Sequence, residues 1–356
     1  MDDAVLREIL SRSSPEYLNS CNRLTSQLPR VVISLTTVPG RYGLLYDTLR
    51  TLINQDYPIA AIYLTIPKIA KRWGTPYPPL PQHVLDLVTV VNIEEDHGPV
   101  CKIVGALSRE EDPNTLIVTC DDDIWYSPNL VSCLVQQYLK NPHVAVSGSG
   151  MFISNGAIFS AYHAQSVFFY SWFMDFNVPS QGREVDILCG FSGVLYPRYA
   201  FPDPVELDDL LKYTRQSKAV FHNDDILLSA YLSSQGIKRI VVPDIPWVDE
   251  LRLTASGGGD ENVDEYALSH NIGECISRMQ TSYADCVAFG LIKDQPNVSI
   301  TETVGGKILV LLIIMLVIFL LVWVICYICR EHWNDIHYQA NHSWGMGPEL
   351  FWHGFN

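Results

Sequence analysis

The chain has 356 residues, 48% of them hydrophobic, which is enough for a sizeable buried core and too apolar for a disordered protein. Lys and Arg number 24 against 39 Asp and Glu, a formal charge of -15, which argues against a general nucleic-acid binder, since that needs a basic surface. A local basic pocket for a phosphate is still compatible with that balance.

Residues 1–29 form a lead-in of helical character ending at Pro29. The β-branched run "RVVISLTT", Arg30 to Thr37, predicts a buried strand. "VPGR" turns the chain into "RYGLLYDTLRTLINQ", where Leu45, Leu49 and Leu52 share one helical face. "AIYLTIP" is a second strand, "WGTPYPPLPQ" a proline-rich surface loop, and "LVTVVNI" a third strand. "CKIVGALSRE" predicts a helix, "NTLIVTC" a fourth strand, "PNLVSCLVQQYLK" a helix and "HVAVSG" another strand. This alternation predicts an α/β fold, an open Rossmann-like sheet that is mainly parallel and flanked by helices. Further on, "FFYSWFMDF" is aromatic, and "DILCGFSGVLYPR" is strand material broken by glycines. "NDDILLSAYLSSQG" is a helix stopped by Gly236, "IKRIVVPD" a strand, and "SGGGDEN" a loop. No internal repeat is found.

The segment Ile308 to Cys329 contains no charged residue and, at about 1.5 Å per residue, spans roughly 33 Å as a helix, the thickness of a bilayer core. Lys307 and Arg330 bracket it, and Trp323 and Tyr327 lie toward one interface. A single C-terminal transmembrane helix is therefore expected, preceded by a stem at 291–307 and followed by a tail at 330–356. No apolar stretch of signal-peptide length opens the N-terminus. The nine cysteines are unpatterned and suit free thiols in a reducing compartment. The expected topology is thus a C-terminal anchor with the large domain, 30–290, facing the cytosol. Asn297 and Asn341 each open a glycosylation triplet, on opposite sides of the apolar run.

The chemistry concentrates in "TCDDDIWYSP", where Asp121, Asp122 and Asp123 follow the fourth strand. Ligands of open α/β sheets bind beyond the carboxyl ends of the strands. Crowded carboxylates are tolerable beside a divalent cation, and hard oxygen ligands suit Mg2+ or Mn2+, whose shell substrate phosphates complete. A solvated acidic turn, or acids capping the next helix, accounts for the same three residues. The glycine and distal glutamate of an EF-hand loop are missing. The second acidic pair, Asp224 and Asp225, opens the helix "NDDILL", where Asn223 suits an N-cap and acids suit the helix dipole.

The ordered set "VVISLTTVPGRYGLLYDTLRTLINQDYP", "EDHGPVCKIVGAL", "TLIVTCDDDIWYSPNLV", "CGFSGVLYPR" and "HNDDILLSAYLSSQGIKRIVVP" covers roughly residues 30–245. It resembles the GT-A nucleotide-diphospho-sugar glycosyltransferases of the broad family-2-like group, with some similarity to the exostosin-type hexosaminyl transferases. The resemblance implies a GT-A fold and a metal-dependent enzyme that moves a sugar from a nucleotide-sugar donor to a hydroxyl of a glycan, lipid or protein acceptor at a membrane. It implies that Asp121 and Asp123, the two outer positions of a DxD motif, hold Mn2+ or Mg2+ against the donor diphosphate, with Asp122 between them in the donor site. Lys102 resembles the basic residue that meets the donor nucleotide or its phosphates, and Thr36, Arg41 and Asp96 look like donor-pocket residues. Asp225 aligns with the general base of an inverting transferase and Asp224 with its neighbour, where glutamate is commoner. Gly190, Phe191 and Gly193 look like the loop beneath the acceptor sugar. Two other readings stay open: a haloacid-dehalogenase-like Mg2+ phosphatase, whose strand-end aspartates normally follow the first strand, and a degenerate transferase serving as a membrane-bound binding subunit.

Overall fold

The computed structural model describes residues 28–154, 157–163, 182–242, 272–292 and 312–321. The chain separates into two compact units, Met1–Val298 and Ser299–Asn356. The lead-in, the aromatic run, the loop "SGGGDEN", the stem, the tail and both glycosylation triplets fall outside the described residues, apart from Leu28, Pro29, Leu291 and Ile292.

The larger unit is an α/β sandwich. Its elements begin with β1 (Val31–Thr36), α1 (Tyr42–Ile53), β2 (Ile59–Pro67), the short hairpin β3 (Ile69–Ala70) and β4 (Thr75–Pro76), α2 (Gln82–Leu85) and β5 (Thr89–Ile93). They continue with α3 (Cys101–Leu107), β6 (Leu116–Thr119), α4 (Leu130–Lys140), β7 (Val144–Ser147), β8 (Ser149–Ser154), β9 (Ala157–His163), β10 (Arg183–Glu184), β11 (Ile187–Leu188) and β12 (Val194–Pro197). Last come α5 (Asp208–Gln216), α6 (Lys218–Phe221), α7 (Asp224–Ser234), β13 (Lys238–Val241) and α8 (Ile272–Ala288).

Eight strands form the main sheet in the order β10-β13-β7-β12-β6-β1-β2-β5. The half from β6 to β5 is parallel throughout, as is the β13–β7 pair. Strand β12 runs antiparallel between β6 and β7, and β10 is antiparallel on β13. A separate three-stranded sheet, β11-β8-β9, is antiparallel. The mainly parallel α/β expectation therefore holds. The inserted β12 is the departure: its glycine-broken sequence is strand material, but nothing in its local pattern gives its direction.

Period-2 alternation on β1 divides the core. Val31, Ile33 and Leu35 face α1, where Leu45, Leu49 and Leu52 are fully buried, and the apolar face of α4 packs on the same side. Val32 points to the opposite face, into a second cluster with α3 and α7. On that face Ser34 and Thr65 are buried hydroxyls. They accept hydrogen bonds from the amides of Ala106 (3.3 Å) and Gly105 (3.0 Å). A Cβ on Gly105 would lie 2.5 Å from Thr65 Oγ1, so glycine lets α3 press directly onto the sheet.

A buried acid ties the lower end of the sheet. Glu110 receives two hydrogen bonds from the Arg30 guanidinium (2.8 and 2.9 Å), one from Tyr63 (2.7 Å) and one from Thr115 (3.3 Å). Burial alone would raise its pKa, but the bonds from Arg30 and Tyr63 outweigh it and hold the carboxyl below its usual value.

In the smaller unit, residues 312–321 are helical, and all ten apolar side chains are exposed, at 48–67%. Among the described residues no helix is long and apolar enough to cross a membrane; the rest of the 308–329 run lies outside them.

Glu110→Ala leaves Tyr63 and Thr115 without their acceptor, and an expected loss of about 2–4 kcal/mol in unfolding free energy follows. Denaturant titration checks it. Arg30→Ala should cost less, because the Arg30 side chain is 47% exposed.

Candidate functional site

From β1 the chain moves outward through β2 to β5, then returns through α3 to place β6 on the other side of β1. That reversal opens a crevice at the carboxyl ends of β1 and β6, where open α/β sheets bind ligands. Thr37 leaves β1 there, and Asp121, Asp122 and Asp123 leave β6.

The aspartate loop is fastened to α1. Thr48 Oγ1 donates to the Asp122 carbonyl (3.0 Å), and the Tyr126 amide donates to Thr51 Oγ1 (3.1 Å). The Gln55 amide donates to the Ser127 carbonyl (2.8 Å) and its Oε1 accepts from the Val131 amide (3.0 Å). The Tyr126 hydroxyl accepts from the Asp121 amide (2.8 Å). These polar groups are buried, so the loop is held in place before any ligand arrives.

The three aspartates have different partners. Asp122 is 5% exposed; Thr37 Oγ1 donates to its Oδ2 (2.6 Å) and Arg41 Nη1 to its Oδ1 (2.8 Å). Asp122 therefore works as a clamp between β1, the following turn and β6. Asp123 meets the same Arg41 nitrogen at 3.1 Å. Burial and the Asp122 charge push Asp123 up to about 6, with Arg41 opposing. Burial would lower the Arg41 pKa, but Asp122 and Asp123 raise it, so the guanidinium stays charged. Its Nε is buried and donates to nothing among the described residues.

Asp121 turns the other way, toward Lys102. The lysine side chain is only 6% exposed, with Nζ 2.5 Å from Asp121 Oδ1 and 2.8 Å from Asp224 Oδ2. The Asp224 contact is an ion pair outside hydrogen-bonding angles, so that oxygen accepts no hydrogen bond among the described residues. Burial disfavours the ammonium, yet Asp121, Asp224 and Asp225 hold its pKa well above the usual value. Asp225 is partly accessible and accepts a hydrogen bond from the Gly190 amide (2.8 Å). Enclosure of its carboxyl and the Asp224 charge push it well above its ordinary value, against the pull of Lys102. A Cβ on Gly190 would lie 2.8 Å from Asp225 Oδ1 and 3.1 Å from Lys102 Nζ, so only glycine closes this pocket.

The structure thus joins Arg41, Lys102, Asp121, Asp122, Asp123, Asp224 and Asp225 into one cluster, with Asp121 within electrostatic reach of both cations. Two anticipated donor residues direct their polar groups elsewhere. Thr36 donates its hydroxyl to the Thr65 carbonyl (2.8 Å) along the neighbouring strand. Asp96 accepts from the amides of Gly98 (2.7 Å) in its own loop and Lys71 (2.8 Å), which ties that loop to the β3–β4 hairpin. Asn223 stands at the N-cap position of α7 but donates back to the Ala219 carbonyl (2.9 Å) and makes no cap bond. Thr37, rather than Thr36, carries the hydroxyl that meets the acids. A strand's side chains alternate, but whether Thr36 or Thr37 is the last to point into the crevice depends on where β1 stops pairing.

Five carboxylates against two cations leave excess negative charge, and Asp224 Oδ2 is a buried oxygen without a hydrogen bond. The excess charge fits a divalent cation, while Asp224 Oδ2 is already 2.8 Å from the Lys102 ammonium. Asp121 (27% exposed) and Asp123 (15%) are the accessible carboxylates of the triplet, whereas Asp122 is committed. Among the described residues no group of three acidic, cysteine or histidine side chains is arranged to hold a metal. Two carboxylates completed by phosphate oxygens and water are a common Mg2+ arrangement. No protein-family model and no curated protein sequence matches the chain.

Two substitutions should shift stability in opposite directions in metal-free buffer at pH 7. Thr37→Val removes a donor from a buried carboxylate and is expected to cost about 1–3 kcal/mol. Asp123→Asn should stabilise by about 1–3 kcal/mol, because a carboxyl whose folded pKa is raised loses stability as pH climbs through that pKa. The Asp123→Asn gain should fade as pH falls below about 6 toward 4, where the wild-type acid is protonated in the folded state. Melting temperatures across pH 4–8 check both signs.

Proposed function

We propose that this chain is a membrane-anchored, divalent-metal-dependent glycosyltransferase of GT-A type, moving a sugar from a nucleotide-diphosphate donor to a hydroxyl acceptor. One observation carries the reading. The strand-end acids at the switch point and the acid pair opening α7 meet in one cluster through Lys102, so groups suited to two different tasks face the same crevice. The reading also rests on the sequence resemblance, and the α/β sheet is compatible with it.

Asp121 and Asp123 are the residues that would hold Mg2+ or Mn2+. When bound, the ion supplies positive charge to a diphosphate leaving group. The chain's own residues do the rest. Arg41 keeps Asp122 and Asp123 in register, and its unpartnered Nε is a charged donor toward an anionic ligand. Asp225 has the traits of a general base: partial access, an orienting bond from Gly190, and a pKa displaced upward from the usual carboxylate value by enclosure and the Asp224 charge. Lys102 holds Asp224 beside it. The acceptor hydroxyl would give its proton to Asp225 as the new glycosidic bond forms. The exposed apolar helix at 312–321, within the uncharged run 308–329, supports a membrane anchor.

A panel of nucleotide sugars tested on the full chain decides the reaction class. One donor should raise the melting temperature only with Mn2+ or Mg2+, by mass action on the folded state. Asp121→Asn should abolish that shift without unfolding the protein. Full donor binding in excess EDTA would overturn the metal assignment, and hydrolysis of simple phosphomonoesters without any sugar-nucleotide turnover would favour a phosphatase.

Asp225→Asn is expected to reduce transfer by about 100-fold or more with little change in donor affinity. Product stereochemistry is the independent check, because retention of the donor's anomeric configuration would remove the base role.

A further inference from the structure

Lys102 touches both acid sets at once. Its Nζ is 2.5 Å from Asp121 Oδ1, beyond β6, and 2.8 Å from Asp224 Oδ2 at the start of α7; the charge of Asp225, next on α7, acts on it as well. The main chain beneath the lysine is fixed. The Gly105 and Ala106 amides are fastened to β2 and β1, and Gly98, just before the helix, presses on the Phe221 carbonyl. Any movement of the ammonium is therefore left to the side-chain torsions. These have somewhere to turn. A Cβ on Gly190 would stand 3.1 Å from Lys102 Nζ and 2.8 Å from Asp225 Oδ1, so the ammonium and Asp225 border the same space, which glycine leaves open.

The acid that Lys102 holds is also one of the two that would hold the metal. Asp121 and Asp123 are both accessible, but their cations differ. Asp123 shares Arg41 with Asp122, at 3.1 and 2.8 Å from the same nitrogen. Asp121 has Lys102 on its Oδ1. A dication drawn to Asp121 meets an ammonium seated on the same carboxylate, and two positive charges repel strongly where little water lies between them. The lysine side chain is 6% exposed, so the ammonium cannot retreat into solvent. The acids of α7 are its remaining partners. Asp224 Oδ2 is close to it without accepting a hydrogen bond among the described residues, and so retains capacity for a better-aligned one.

We propose that Lys102 is a positioning residue that competes with the divalent ion for Asp121, and that the arriving ion drives its ammonium from Asp121 onto Asp224 and Asp225. The proposal rests on the metal reading above and gives Lys102 a task apart from meeting donor phosphates. Metal uptake then changes the charge beside the acids that would receive the acceptor proton, with no shift of either backbone. The coupling runs both ways, so a change at the α7 pair alters metal affinity although neither of its acids holds the ion.

The test follows Mn2+ binding to the full chain, without nucleotide, by electron spin resonance of the free ion. Lys102→Met should tighten binding by roughly tenfold or more. Asp224→Asn should weaken it, by about threefold more in the wild-type background than in the Lys102→Met background, because only the lysine needs Asp224 to turn to. A lysine that merely supports the fold would lower the melting temperature on removal and leave Mn2+ affinity alone. If Lys102→Met does not fold in metal-free buffer, added Mn2+ should restore its cooperative unfolding, and failure to do so overturns the proposal. Unchanged or weaker Mn2+ binding in Lys102→Met overturns the competition; weaker binding would mark the lysine as a group that orients Asp121 for the ion. Equal effects of Asp224→Asn in both backgrounds overturn the transfer to α7. Absence of Mn2+ and Mg2+ binding in wild type and Lys102→Met alike overturns the metal reading itself, and this proposal with it.

Discussion

An ammonium group buried alone would cost several kcal/mol, and it would shed its proton before it stayed there charged. Lys102 stays charged because Asp121 and Asp224 approach it from two sides and Asp225 stands behind them. The dependence is mutual. Without Lys102, the acids of β6 and α7 would face each other across a shared pocket with no counter-charge between them. The placement of that single nitrogen follows from features far from any acid. Gly105 lets α3 lie flat on Ser34 and Thr65, and Lys102 sits one turn earlier on that helix, above the strand ends.

The same constraint explains why the aspartate loop is held so firmly. A loop bearing three adjacent carboxylates would open to separate them if its backbone were free. Thr48, Thr51 and Gln55 tie it to α1 with buried hydrogen bonds, and Tyr126 closes it from within. Repulsion is then relieved by direction: Asp121 turns to Lys102, while Asp122 and Asp123 share Arg41. Asp123 carries what is left over, which is why its carboxyl is displaced upward. Residual strain of this kind at a ligand-ready site costs stability, and natural sites accept that cost where a ligand later offsets it.

Much of the fold was legible in the sequence for a simple reason. The central strands β1 and β6 are buried on both faces, so they read as short β-branched runs, and α1 shows its buried leucines at helical spacing. Asp121, Asp122 and Asp123 were legible because acids at the end of an apolar run stand out, whereas Asp224 and Asp225 were singled out by the resemblance, since locally they read as first-turn acids of a helix. What was not legible depends on distance in the chain. The antiparallel β12 pairs with residues far away on β6 and β7, and no local pattern encodes that direction. Thr37, Thr48 and Gln55 look like ordinary helix and strand-end residues until the loop they hold is in place. Asp96 looks like a donor-pocket residue through the resemblance; in the structure one oxygen accepts from Gly98 in the turn that leads to α3, and the other accepts from the Lys71 amide in the β3–β4 hairpin.

That last assignment changes how the segment "EDHGPVCK" is understood. Gly98 has φ +76, and a Cβ there would overlap the Phe221 carbonyl at 2.0 Å, so the turn admits only glycine at this contact. His97 packs beside it, with Nδ1 2.9 Å from the Thr214 hydroxyl, and burial lowers its pKa against the pull of Glu95. The segment is therefore a joint between α3 and the α5–α6–α7 layer. Lys102 reaches Asp224 because the start of α3 and the start of α7 are locked together through Gly98 and Phe221. The chemical pairing of the two acid sets is thus a consequence of packing at a glycine, not of the lysine's length or charge alone. A side chain at position 98 would separate the helices and leave Lys102 with Asp121 only, while the buried Asp224 lost its cation.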